Sequence, residues 1–99
     1  MRIVFAQKMV KIKKYETRTV CGGMTVAWHT DDTITVCNNT NKNWAVVVNV
    51  RNSAGQVIDK QPANIQAGHC SRPYPVPHGA IEAEGHFTES DDDTCCVIC

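Results

Sequence analysis

Apolar and polar residues alternate with a period of two along much of the chain. The clearest run is WAVVVNVR, where Trp44, Val46, Val48 and Val50 share one face and Ala45, Val47, Asn49 and Arg51 the other. β-Branched side chains dominate this run, which favours a strand over a helix. The turn residues NSAGQ follow, and then VID, so positions 44–60 predict a hairpin. Near the far end AIEAEGHF alternates again, with Ile81, Ala83 and Phe87 on one side and Glu82, Glu84 and His86 on the other.

VKIK (10–13), TRTV (17–20), MTVAW (24–28) and TITV (33–36) predict further strands. Gly22-Gly23, Asp31-Asp32 and Asn38-Asn39 mark the breaks between them. No amphipathic helix, internal repeat or linker interrupts the series. About seven or eight short strands in one domain predict an all-β fold, a small antiparallel β-sandwich of Ig-like or Greek-key type.

Composition adds a staple to this picture. The chain has 99 residues, close to the lower limit for a core that holds without cross-links. It carries six cysteines: Cys21, Cys37, Cys70, Cys95, Cys96 and Cys99. That density predicts a disulfide framework made in an oxidising compartment, hence a secreted, cell-surface or virion-associated protein. Adjacent Cys95 and Cys96 would face opposite sides of an extended tail, so each needs its own partner. One framework joins the three tail cysteines to Cys21, Cys37 and Cys70 in some order. Another pairs Cys21 with Cys37 across a hairpin and Cys70 with one tail cysteine. Each bridge is worth roughly 2–4 kcal/mol.

The Cys-to-Cys stretch 21–37 carries Trp28 and is followed by a Val-rich strand. In this it resembles the small Streptomyces α-amylase inhibitors, and the resemblance implies a bridge-closed hairpin around Trp28. Those inhibitors present Trp-Arg-Tyr to their enzyme, where this chain reads Trp28-His29-Thr30. Their activity is therefore not carried over.

Net charge is zero, which argues against nucleic acid held by bulk charge. No stretch approaches the roughly 20 apolar residues of a membrane span. The charge is polarised, however. Arg2, Lys8, Lys11, Lys13, Lys14 and Arg18 crowd the start, and Glu82, Glu84, Glu89, Asp91, Asp92 and Asp93 the end. Either the two ends pair side by side in one sheet, or one copy's basic end meets the next copy's acidic end.

Candidate chemistry is sparse. No phosphate loop, HExxH or GxSxG is present, and no spacing assembles a base and a nucleophile, so a non-enzymatic protein without a cofactor is expected. Cys96-x-x-Cys99 has the spacing of half a zinc site, which His69-Cys70 could complete. Cys-Val-Ile-Cys at the end also has the outline of a prenylation signal, although the acidic run before it would repel an anionic membrane. The loop CSRPYPVPHG is stiffened by Pro73, Pro75 and Pro77. It could present Arg72, Tyr74, Pro75 and His78 to a partner, or simply blunt a sheet edge. Trp28, beside His29, is a candidate sugar platform, while Trp44 reads as core. ESDDDT could bind calcium or be a solvated loop. Asn38-Asn39-Thr40 is a glycosylation sequon.

The expected work is recognition: an extracellular binding, inhibitor or effector-like module with a protein or glycan partner, contacted by residues 72–78 and the turn at Trp28. The alternative is a structural subunit of a filament, pilus or virion that binds copies of itself, adding its basic first strand to a neighbour's sheet.

Overall fold

The computed structural model describes residues 8–20 and 22–89. They form eight strands: β1 (Lys8–Lys13), β2 (Thr17–Val20), β3 (Met24–Trp28), β4 (Thr33–Asn38), β5 (Trp44–Asn52), β6 (Val57–Ile65), β7 (Tyr74–Pro75) and β8 (Ala80–Glu89). Two four-stranded antiparallel sheets result, in the orders β1-β8-β5-β6 and β2-β3-β4-β7. No helix is present among the described residues. The fold is therefore an all-β sandwich, and the hairpin expected over 44–60 is the β5–β6 pair.

Alternation builds the core as the sequence predicts. Val46, Val48 and Val50 of β5 turn inward with Trp44, each at most 3% exposed. They meet Met24, Val26, Ile34 and Val36 from the opposite sheet, together with Ile12 and Phe87. Gly85 lies on the same inward face, opposite Val10 and Val48. A β-carbon there would stand 3.0 Å from Cζ of Phe87 and 3.3 Å from Val26, so glycine leaves room for the phenyl ring. Gly23 likewise lets the β2–β3 turn approach the next loop, since its added β-carbon would meet the Asn39 backbone at 2.9 Å.

The basic first strand and the acidic last strand lie side by side. Lys11 stands opposite Glu84 and Lys13 opposite Glu82 in the β1–β8 register. Alternation in β8 breaks at its start, contrary to the simple pattern. The register with β5 shifts between Arg51 and Asn52, where Asn52 pairs with Ala80. Ala80 takes the buried place and Ile81 is left 47% exposed. A bulge changes which residues face inward without changing the sequence rhythm, so the pattern alone does not reveal it.

The two sheets close less completely along the β6 and β7 edges. By register with Val50, Val48 and Val46, the inward positions of β6 are Asp59, Gln61 and Ala63. Two polar side chains and one methyl group cannot fill the space that valines fill next door. Opposite them, β7 is only two residues long and flanked by prolines.

Candidate binding groove

That shortfall leaves an open groove of about 660 Å³ between residues 61–66 on one side and 69–75 on the other. The second wall is tied down at two levels. Cys37 and Cys70 face each other across an isolated antiparallel bridge and are joined by a disulfide spanning 33 positions. Ser71 continues the attachment, its N–H donating to the Val36 carbonyl (2.7 Å) and its Oγ accepting from the Val36 N–H (3.0 Å). Ile34 then pairs with Tyr74 and Thr33 with Pro75. The proline-rich stretch thus runs as an edge strand pinned to β4.

The Cys37–Cys70 bond corrects both expected frameworks, since Cys37 pairs neither with Cys21 nor with a tail cysteine. β4 ends at Asn38, and the connection from β6 brings Cys70 back opposite it, a contact across 33 positions that no local spacing announces. Cys70 is consequently not a thiolate ligand, and His69-Cys70 cannot complete a zinc site. Cys21, Cys95, Cys96, Cys99 and the acidic run at 90–93 lie outside the described residues.

Of the residues expected to make contacts, the groove gathers Arg72, Tyr74 and Pro75. Arg72 and Pro75 are exposed, but Tyr74 is 8% exposed and belongs to the core. In a strand, alternate side chains face opposite ways, so Pro73 and Pro75 facing solvent send Tyr74 inward. Trp28 is also a correction. It is 2% exposed, closes β3 from inside, and its Nε1 donates to Asp32 Oδ1 at 3.3 Å. It offers no stacking face. His29 is exposed and bonds Thr35 Oγ1 through Nε2 at 2.7 Å. His78 is exposed at the opposite end of the sandwich, where it borders a hollow of about 190 Å³ together with Lys14, Asp32 and the edge of Trp28. The expected site residues therefore divide between two places.

Asn38, the first residue of the sequon, is a further correction. Instead of an exposed sequon it is fully buried. Its Nδ2 donates to the carbonyls of Lys42 (2.7 Å) and Ile65 (2.8 Å). Its Oδ1 accepts from Thr40 N (3.0 Å) and Thr40 Oγ1 (2.6 Å). Trp44 Nε1 donates in turn to Thr40 Oγ1 at 3.0 Å. The Asn38 backbone holds the loop behind the groove, bonding the His69 carbonyl and the Gly68 N–H at 2.8 Å each. One side chain thus links β4, the β4–β5 loop and the end of β6.

Glu82, Glu84 and His86 do share the outer face of the first sheet, and there Glu84 gathers Arg51, His86 and Lys11 in an ion-pair cluster. Glu84 Oε1 accepts from Arg51 Nη2 at 3.1 Å and lies 3.5 Å from His86 Nε2, while Lys11 Nζ is 3.9 Å from Oε2. Among the described residues no three His, Cys, Asp or Glu side chains are placed to hold a metal. Burial pushes the Glu84 carboxyl up, but the Arg51 hydrogen bond and charge, followed by His86, outweigh it and hold the group below its ordinary value. A lowered folded-state value means that the ionised form stabilises the fold above the unfolded value and that this contribution fades as pH falls through the folded one. Urea unfolding should therefore show stability dropping below pH of about 4.3. Glu84→Gln should flatten part of that slope, and an unchanged slope would remove Glu84 as its source.

No protein-family model matches the chain, and neither a curated protein nor a solved structure does. With Trp28 buried and Cys37 bonded to Cys70, the likeness to the amylase inhibitors has no structural counterpart.

Proposed function

We propose that the protein is a non-enzymatic recognition module of an oxidising, extracellular setting, and that it binds a segment of a partner protein in the groove between β6 and the proline-rich wall. The observation carrying this reading is the groove itself, a concavity whose far wall is fixed by a disulfide, a two-residue strand and two prolines, Pro73 and Pro75. Such a wall loses little conformational freedom on binding, which favours affinity. A protein partner is preferred to a glycan because Tyr74, the aromatic among the described residues lining the groove, is turned into the core and offers a sugar no stacking face there. A binding role is preferred to catalysis because the described residues lining the groove include no carboxylate, and its cysteine is bonded. The Ser71 hydroxyl is already engaged with Val36 N and the Arg72 carbonyl.

Peptides selected from a random display library on the wild-type protein should lose at least about tenfold in affinity when Ala63→Trp, at an inward position of β6, fills the groove. A glycan array should stay blank. Undiminished binding to the filled variant, or glycan binding in place of peptide binding, would overturn the reading.

Assembly with copies of itself is the second reading, and it would use the opposite flank. β2 has one edge unpaired among the described residues, carries no proline and is mostly exposed, so it could accept a neighbour's strand. Concentration-dependent sedimentation would favour it, and a monomer throughout would favour the groove. No helix among the described residues is long and apolar enough to cross a membrane.

A further inference from the structure

The walls of the groove are poor in the groups that usually capture an extended chain. A strand added to a sheet edge is held by a ladder of backbone N–H and C=O groups. Pro62 on β6, and Pro73 and Pro75 opposite, have no N–H to give. A continuous ladder is therefore broken on both sides, and the discriminating contacts must come from side chains.

Those side chains are one-sided in charge. Arg72 and His69 line the groove, both exposed, and no Asp or Glu among the described residues lines it. The nearest acid on the β6 face, Asp59, already accepts from Gln61 Nε2 at 3.0 Å. Arg72 makes no ion pair among the described residues, in contrast to Arg51, whose guanidinium is shared between Glu84 and the Gly55 carbonyl. A guanidinium offers a planar fork of donors that fits a carboxylate with two parallel hydrogen bonds. Ala63, Ile65 and Tyr74 supply apolar lining beside it.

We infer that the groove takes an acidic stretch of polypeptide, with a carboxylate seated on Arg72, His69 beside it, and a neighbouring apolar side chain against Ala63 and Ile65. This inference rests on the groove being the binding site and adds the chemistry of its occupant. Affinity falls with salt, because the leading contact joins exposed opposite charges.

The test uses random 12-residue peptides displayed against the full chain at low salt. The tightest selected peptide is then compared with its counterpart in which each Asp and Glu is replaced by Asn and Gln. Acid enrichment among the selected peptides, and a counterpart weaker by about tenfold, are expected. Arg72→Gln should abolish that ratio, and Arg72→Lys should keep part of it. If neutral peptides bind as tightly, with Arg72→Gln without effect, while Ala63→Trp still blocks them, the acidic occupant is wrong and the groove stands. Selected peptides that ignore Ala63→Trp would remove the groove and this inference together.

Discussion

Replacing Asn38 with alanine is expected to cost the fold about 3–4 kcal/mol, among the largest losses for a single side chain here. The reason lies in what would remain. The carbonyls of Lys42 and Ile65 would lose an amide donor and the Thr40 N–H its acceptor, while the Thr40 hydroxyl would keep its bond to the Lys42 carbonyl at 3.1 Å. Each buried polar group left without a partner costs on the order of 1–3 kcal/mol, and partial rearrangement recovers some of it. Asn38→Asp should be no milder. It keeps the acceptor but removes the donor and places a charge at a site of zero exposure. Urea unfolding of both variants checks this. A loss below about 1 kcal/mol for Asn38→Ala would mean that water or a repacked loop takes over these bonds.

Removing the Cys37–Cys70 bond should cost about as much for a different reason. A link spanning 33 positions restricts the unfolded chain, and loop-closure entropy for that length amounts to about 4 kcal/mol near room temperature. The double variant Cys37→Ala, Cys70→Ala isolates this bond, whereas a reductant would act on every cysteine. Two readouts are expected to move together: the unfolding midpoint falls, and peptide affinity for the groove falls as its far wall loosens. A variant that unfolds earlier yet binds unchanged peptide at low temperature would separate the bond's role in stability from any role in holding the groove.

Much of this architecture is legible in the residue pattern because it follows local rules. The strict alternation in β5, the Asn52–Gln56 turn and the β-branched runs of β2 to β4 each determine their own element. What escaped depends on contacts between distant segments. Trp28 and Tyr74 look like candidates for display, since each sits among polar or proline neighbours. Their orientation is set by the register of β3 on β4 and of β7 on β4, which pairs both with Ile34. Ile81 follows the alternation of β8 but is turned out by the bulge beside Asn52. Asn38 carries a sequon in its neighbours, while its role depends on Ile65, 27 positions away. The groove was half legible. Its proline wall is conspicuous, but its other wall arises because Asp59, Gln61 and Ala63 occupy inward positions of β6, and that needed the β5–β6 register.

If recognition takes place between β6 and the disulfide-anchored wall, backbone amide shifts will reveal it. The tightest peptide selected from the random library would be titrated into the isotope-labelled protein. The account predicts shifts concentrated at Gln61, Ala63, Asn64, Gln66, His69, Ser71 and Arg72, with β1 and β2 unmoved. Shifts gathered instead along Thr17–Val20, or around His29 and His78, would contradict it and place the working surface elsewhere on the sandwich.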